Sequence, residues 1–290
     1  MGIRAWMGAR LLALGLLLGA LVPAVAVERQ ALESSLVVSG EITVGPDGAV
    51  REYRLDPKAP IGQDVRGYLD GLIRGWQFAP VQQAGAPVGV RAPMRLRLVA
   101  RALDAEGKRY SVRLASTWFG ASKDSDGAGG GGKALTARQM TPPTYPEEAL
   151  QAGYTGTVYL LLRVDADGVP QDVATEQVDL YTVGNERLMQ QMRRVLARAA
   201  ESGARRWRLA VSPALGPGPH IVRVPVDFIL GGEASSELGQ WRTYLPGPRN
   251  RDIPWARGPL QAAGSPGAEP PNAISLLGGG GPHLQTPIGG

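Results

Sequence analysis

The sequence predicts an α+β fold made of two repeated β-β-α-β units, in each of which a small antiparallel sheet packs on a helix. Three observations predict it. Segments 34–50 and 154–170 each alternate apolar and polar residues and end in an Asp-Gly turn, the signal of a β-hairpin. An amphipathic helical pattern follows each hairpin and leads to a tryptophan. Each unit then closes with an alternating strand that begins Val-Arg-x-Pro.

Residues 1–26 have the order of a secretory signal peptide. Arg4 and Arg10 precede an apolar run that breaks at Pro23, and the small residues Ala24-Val25-Ala26 follow. The alternative is a short uncleaved anchor, because the 17 apolar residues from 11 to 27 lie at the lower limit for spanning a bilayer. The sequence favours cleavage, and we expect an exported, periplasmic protein. An uncleaved chain would instead be anchored in the inner membrane and face the periplasm.

The first unit is predicted at 34–104. Its hairpin turns at Asp47-Gly48, and its closing strand spans 90–98. Between them, apolar residues at helical spacing lead to Trp76, and these are Ile61, Val65, Leu69, Leu72 and Ile73. Residues 105–139 follow, and their run of Gly, Ser and Asp predicts a flexible Gly-rich linker.

The second unit is predicted at 140–232. Its hairpin turns at Asp167-Gly168, and its closing strand 222–230 aligns without a gap with 90–98 of the first unit. Apolar residues at helical spacing again lead to a tryptophan, Trp207, and these are Leu188, Met192, Val195, Leu196 and Ala199. Residues 233–290 are rich in Gly, Pro, Ala and Ser without periodicity, which predicts a disordered tail.

Composition excludes several kinds of site. The chain has no cysteine and only two histidines, so we expect no disulfide, thiolate ligand, cysteine nucleophile or histidine metal cage. No catalytic residue, metal ligand or cofactor is predicted. The formal net charge is +5, but no basic run exceeds two residues. A nucleic-acid partner would call for a clustered basic stripe, and we expect none.

An enzyme is the contrasting hypothesis, and its best candidates are acidic residues near the second hairpin. Glu147 and Glu148 are adjacent, so on a helix their side chains point about 100° apart. Asp165 and Asp167 belong to the region of the turn. The sequence contains no catalytic triad order and no phosphate loop, and we expect no enzyme activity. A module that binds peptidoglycan or a small ligand is a further alternative, with Trp118, Trp207 and Trp241 as its candidate residues.

The second unit contains a longer pattern that carries a resemblance. Tyr145-Pro146 is followed by an alternating strand, a helix and a terminal strand, and the pattern residues are Tyr145, Pro146, Ala149, Gly153, Gly156, Gly168, Trp207 and Pro225. This pattern resembles the C-terminal domain of TonB-family energy transducers. Pro146 suits the first position of a helix and Gly153 its left-handed end, so a short helix would clip onto the hairpin. The first unit resembles the same domain more distantly, because it lacks the Tyr-Pro turn.

The resemblance implies a function in protein binding. Similar domains bind the periplasmic side of outer-membrane transporters, where an extended partner segment adds to an exposed sheet edge. It implies a partner-binding edge at residues of the closing strand, namely Ile221, Val222, Arg223, Val224, Val226, Phe228 and Leu230. The alternation also assigns about half of them to the core. The implied partners are an outer-membrane or other envelope protein and a second copy of the chain.

The sequence also departs from the family pattern. The apolar segment near the amino terminus lacks the histidine that the family implies for a proton-driven motor, and the proline-rich part lies at the carboxyl end. An inner-membrane motor is therefore expected as a partner only if the amino terminus is uncleaved. The leading interpretation is a TonB-like periplasmic protein linked to transmembrane transport. The alternative is an exported scaffold or a ligand-binding module with no role in energy coupling.

Overall fold

The computed structural model describes residues 32–59, 61–83, 85–104, 106–120, 135–231, 238–278 and 281–288. The fold is α+β, with antiparallel sheets and few helices, as the sequence predicts at this coarse level. The signal peptide or anchor predicted at 1–26 lies outside the described residues. Among the described helices, none combines the length and the apolar character that crossing a membrane requires.

The described residues up to 120 form six strands and one helix. In order they are β1 (Glu33–Val44), β2 (Val50–Leu55), α1 (Gln63–Arg74), β3 (Val81–Gln83), β4 (Ala86–Val88), β5 (Val90–Ala102) and β6 (Tyr110–Phe119). All the pairings are antiparallel, and β1 lies between β5 and its two other partners, β2 and β12 (Arg242–Tyr244). The apolar side of α1, with Leu69 and Ile73 fully buried, packs on one face of this first sheet.

The chain from residue 135 to 231 forms a second sheet with two helices. In order its elements are β7 (Leu135–Gln139), α2 (Glu147–Gln151), β8 (Gly156–Val164), β9 (Pro170–Leu180), α3 (Glu186–Ala204), β10 (Arg208–Val211) and β11 (His220–Phe228). The sheet has the order β13-β11-β8-β9, where β13 (Ser275–Leu276) comes from the carboxyl-terminal region. Alternate residues of β8, such as Leu160 and Leu162, pack with α3 to form the core.

The faces of the two sheets that carry no helix are joined to one another. Arg97 of β5 lies on such a face, and its Nη2 is 3.4 Å from Oδ2 of Asp179 in β9, with both side chains buried. Arg97 Nη1 also donates to the carbonyl oxygen of Pro266, at 3.2 Å. Its guanidinium carbon lies 4.6 Å from the centre of the Tyr244 ring. The carboxyl-terminal region therefore lies between the two sheets and contacts both.

Where the sequence predicts a disordered tail at 233–290, the described residues 238–278 contain strands and a short helix. Leu245 exchanges backbone hydrogen bonds of 2.8 and 3.0 Å with Leu180 at the outer edge of β9. Further on, Ile253 and Leu260 bury Leu161 of β8, and a short helix α4 (Arg257–Ala262) forms. The apolar residues of this region are single and unevenly spaced. They dock on an existing surface, which leaves no periodic signal in the sequence.

The linker predicted at 105–139 also differs from the structure. Strand β6 lies inside it and pairs with β5 from Met94 to Ala102, which extends the first sheet beyond residue 104. The residues of β6 read Tyr-Ser-Val-Arg-Leu-Ala-Ser-Thr-Trp-Phe and have high strand propensity. The Gly-rich run that indicated a linker begins only after this strand, at Gly120.

Candidate partner-binding edge

The closing strand β11 places most of the predicted edge residues in the core. Val222, Val224, Val226 and Phe228 are buried in the core of the second sheet because they occupy alternate positions on the face that carries the helices. Ile221 faces the other side and packs with the cluster around Leu161. Leu230 lies beyond the end of the strand and is half-buried. The side chains of this strand thus serve mainly the fold, and its outer edge consists of backbone groups.

Arg223 is the exception among these residues, because it is charged and buried. Its Nε is 2.7 Å from Oε2 of Glu176, and its Nη1 is 2.8 Å from Oε1 of Glu269. Arg249 adds a second cation to Glu176, with its Nε 2.7 Å from Oε1. Burial opposes the charge on Arg223, but Glu269 and Glu176 outweigh it and raise the pKa of this guanidinium above its ordinary value.

The outer edge of β11 can be read from one backbone hydrogen bond. The N–H of Leu277 donates to the carbonyl oxygen of Ile221 at 2.8 Å, so this carbonyl points away from β8. Backbone groups alternate in direction along a strand, and those of residues 223, 225 and 227 therefore face outward too. Strand β13 pairs at Val222↔Leu276 and Arg223↔Ser275. The next outward position is Pro225, which has no N–H to donate, and the ladder ends before it.

The outer edge thus has a covered half and an open half. Residues 221–223, the covered half, lie against Ile274–Leu277. Residues 224–228, the open half, have no strand beside them among the residues that the structure describes. On the helix-free face, the open half borders a cleft between the sheets, which is lined by Arg95, Tyr159, Asp227 and Glu269 among others.

The segment Ile274–Leu277 fits its place on the edge through alternating side chains. Ile274 and Leu276 pack against the core of the second sheet. Leu277 faces the opposite side and joins the cluster around Leu161. Ser275 Oγ accepts a hydrogen bond of 3.1 Å from Nε1 of Trp118 in the first sheet. No sequence signal pointed to these residues, because they lie in a region with the composition of a disordered tail.

The short helix α2 fastens the start of the second unit to its sheet. Pro146 is the N-cap residue of this helix, one position earlier than the sequence predicts, and Ala149 is fully buried. Tyr145 donates a hydrogen bond of 2.6 Å to the carbonyl oxygen of Tyr154. Its ring also meets that of Phe228 edge to face, with 5.5 Å between the centres. Helix α2 therefore supports the end of β11 next to the open half.

The remaining motif residues have roles in close packing. A side chain at Gly156 would overlap the carbonyl oxygen of Asp179 in β9. Gly168 has φ +81°, and a side chain there would overlap the carbonyl oxygen of Leu209. Trp207 is buried, and its Nε1 donates to the carbonyl oxygen of Thr141 at 2.9 Å. Each of these residues holds the second unit together.

In the first sheet, the edge that corresponds to the outer edge of β11 is already paired with another strand. Its closing strand β5 pairs with β1 on one side and with β6 on the other. The outer edge of β9 is occupied in its second half, since Leu245 pairs with Leu180 and the N–H of Asn250 donates to the carbonyl of Glu176 at 2.7 Å.

The acidic residues and tryptophans that were considered for other functions have different roles in the structure. Glu147 bonds only to its neighbour on the helix, Gln151, at 2.9 Å, and Glu148 contacts Gln191 of α3. Trp207 belongs to the core, whereas Trp241 is 40% exposed. Within the described ranges, no group of three or more His, Asp or Glu side chains could hold a metal ion.

Sequence comparison relates part of this chain to curated proteins. The chain is 35% identical over 97 residues to proteins called "Protein TonB" from two strains of Xanthomonas campestris pv. campestris. The matched region covers 33% of this chain and 38% of each relative, so the chain spans well under half the length of the curated proteins it matches. No family model and no solved structure matches the chain. The resemblance inferred from the sequence is thereby confirmed for about a third of the chain, which contains a TonB-like domain.

Proposed function

We propose that this chain is a TonB-like periplasmic protein that takes part in transport across the cell envelope. In this proposal it binds an envelope protein, in the first place an outer-membrane transporter, by accepting an extended segment of that protein at the outer edge of β11. The observation that carries the proposal is a stretch of β11, residues 224–228, that has no strand beside its outer edge among the described residues, in a chain that is similar to TonB over 97 residues. No catalytic or cofactor-dependent role is proposed.

Two structural features support β11 as the binding strand. A partner strand needs a β-strand edge to extend, and residues 224–228 continue the edge of β11 that already pairs with β13. The corresponding edge of the first sheet is already paired with β6, which leaves the partner no ladder to extend there. Partner binding therefore belongs to the second unit.

We also propose that the two parts of the chain are copies of one β-β-α-β unit, at about 34–104 and 140–232. Support comes from equal strand orders, β2-β1-β5 and β9-β8-β11. Further support comes from the hairpin glycines. Gly48 accepts a backbone hydrogen bond of 2.8 Å from Phe78, and Gly168 accepts one of 2.9 Å from Leu209. Both donors follow the tryptophan after the helix by two residues. The first unit then acts as a scaffold that holds the second.

Photocross-linking in cells tests the binding edge. A benzophenone amino acid replaces Leu230, which follows the open half, and the matched control carries it at Arg198 on the exposed side of α3. We expect an adduct with an outer-membrane protein at position 230 and not at position 198. Equal adducts at both positions, or adducts at 230 with soluble proteins only, would contradict the proposal. The second result would favour an exported scaffold.

The mass of the native chain tests the proposed location, and it tests whether an inner-membrane motor is a partner. A chain that begins at Val27 in the periplasmic fraction supports an exported binding protein without direct energy coupling. A full-length chain held in the inner membrane would contradict cleavage and would restore an inner-membrane motor as a partner. The measurement is intact mass spectrometry of the two cell fractions.

A further inference from the structure

We propose that the segment Ile274–Leu277 is a resident strand of the chain itself, and that a partner must displace it to occupy the full edge of β11. The inference rests on the proposed function and concerns regulation of the same edge. It also states the kind of partner segment that fits. That segment is extended, runs antiparallel to β11, and carries aliphatic residues at alternate positions, as Ile274 and Leu276 do.

The first step concerns what the open half can offer alone. The open half is five residues long, and its outward position Pro225 has a carbonyl but no N–H to donate. A partner restricted to residues 224–228 therefore gains a short and incomplete ladder. The outward groups of Ile221 and Arg223 would extend this ladder, but Ile274–Leu277 already pairs with them.

The second step concerns how Ile274–Leu277 is held. Its hold on β11 consists of a two-residue ladder, the hydrogen bond from Leu277, and the partly buried side chains of Ile274, Leu276 and Leu277. Strands this short are marginal on their own. The chain around it is held more firmly, because Glu269 upstream is paired with buried Arg223. Downstream, the N–H of Ala79 donates to the carbonyl of His283 at 2.8 Å.

The third step concerns what happens after displacement. Gly278, directly after the resident strand, has φ +80°, and a glycine can change its backbone conformation at little cost. Because both flanks stay anchored, the displaced strand remains close to the edge at a high effective concentration. It returns when the partner leaves. Only a partner that is itself concentrated near the edge, or that fits it better, displaces the strand.

The resident strand is also joined to the first sheet. The indole of Trp118, at the end of β6, donates to Ser275 Oγ. Release of the strand would break this bond. The first unit therefore helps to keep the resident strand on β11, which belongs to the second unit. A protein with the second unit alone would lack this contribution.

A redox-controlled variant tests the inference in the full chain. Val222→Cys with Leu276→Cys places two thiols at register partners, in a non-hydrogen-bonded pair whose Cα atoms lie about 4.5 Å apart. The chain has no other cysteine. The probe is a fluorescent peptide with the sequence of residues 272–278. We expect the oxidised form to bind this peptide at least about tenfold more weakly than the reduced form.

A released variant provides the opposite test. Ser275→Pro with Leu277→Pro removes the two N–H groups of the segment that face β11. We expect this variant to bind the peptide at least about tenfold more tightly than the unchanged chain. Equal binding by the released, reduced and oxidised forms would overturn the inference, as would no binding by any of them. If the released variant does not fold, the comparison of the oxidised and reduced forms of the cysteine variant still tests the inference.

The outcomes separate this inference from the proposed function. If adducts form at position 230 with the same yield in the oxidised and the reduced cysteine variant, the resident strand does not regulate the edge, although the proposed function stands. If the peptide binds the released edge but no envelope protein forms an adduct at position 230, the proposed function fails, although the inference about the resident strand stands.

Discussion

Among single residues, Arg223 lies at the centre of a buried ion network in the second sheet. Its side chain is 4% exposed, and its partners Glu176 and Glu269 are 0% and 5% exposed. Ions this deeply buried remain charged only where counter-charges and hydrogen bonds replace the lost water. The network therefore fixes Glu269, and with it the chain upstream of the resident strand, to the middle of β11.

We expect Arg223→Met to lower the free energy of unfolding by about 3–5 kcal/mol, because two buried carboxylates lose their central cation. The matched control is Arg54→Met, which removes an exposed ion pair with Glu52 and should cost less than about 1 kcal/mol. Urea unfolding followed by circular dichroism measures both. Equal and small changes would show that the buried network contributes little.

Two glycines with the same left-handed backbone allow a second comparison. Gly153 has φ +67° with open space around it, whereas Gly168 has φ +81° and lies against the Leu209 carbonyl. Gly153→Ala should cost about 1–2 kcal/mol, from backbone strain alone. Gly168→Ala should cost at least about 1 kcal/mol more, because β10 must also shift. Thermal unfolding of both variants checks the order, and the reverse order would contradict it.

The sequence indicates local roles well and distant pairings poorly. Gly153 has the left-handed φ that its position after a short helix predicts. The partners of Arg223 could not be inferred, since Glu176 and Glu269 are 47 and 46 residues away along the chain. The resemblance to TonB-family domains implies Arg223 as a residue of the partner-binding edge. Its actual burial depends on a region that has no pattern of its own.

Helix α3 is the element whose limits follow most directly from the sequence. It spans Glu186–Ala204, and its buried residues include Met192, Leu196 and Ala200 at helical spacing. Asn185 caps its first turn, because its side chain accepts a hydrogen bond of 2.9 Å from the N–H of Leu188. The cap also fixes where the chain leaves β9 and enters the helix.

We expect Asn185→Ala to destabilise the protein by about 1 kcal/mol, because an N–H group of the first turn loses its acceptor. Asn185→Ser keeps an oxygen at this position and should stay within a few tenths of a kcal/mol of the parent chain. Chemical denaturation of the three proteins provides the measurement. A serine variant as unstable as the alanine variant would show that the cap bond is not the cause.

The strands divide into those with a strong pattern and those without one. Strands β1 and β8 alternate over many residues and end in Asp-Gly turns, so their pairing with β2 and β9 could be predicted. Strand β13 has two residues, too few for any period to appear. Such a strand exists only because β11 offers it a template. The edge was therefore expected to be open along its whole length, and the structure covers one half of it.

At the scale of the whole molecule, the carboxyl-terminal region holds the two sheets together. Strand β12 pairs with β1 of the first sheet, and the next residue, Leu245, pairs with β9 of the second. Arg97, which bonds Asp179 directly, also contacts Pro266 and Tyr244. The two units thus depend on one another through a shared segment.

We expect a chain that ends at residue 231 to lose about 3 kcal/mol or more of stability, since Leu161 becomes exposed and Arg223 loses Glu269. A chain that ends at residue 281 is the control. It keeps those contacts and loses only those made by residues 282–290, such as the bonds of His283 and Thr286 to residues after α1. Hydrogen exchange should increase in both sheets for the first truncation and only near α1 for the second. Equal hydrogen-exchange protection in the two truncated chains would contradict the role of the carboxyl-terminal region in holding both sheets.

The pairing of β1 with β12 has a consequence for the order in which the molecule is completed. Glu33 and Tyr244 are register partners, so one of the earliest strands of the chain meets one of the latest. Contacts this far apart in sequence form slowly, because a long loop must close before they give any stability. A chain still being synthesised can form its hairpins and helices, but the first sheet has an unpaired flank until the last fifty or so residues arrive. During that interval the nascent protein depends on whatever shields exposed strands from aggregation.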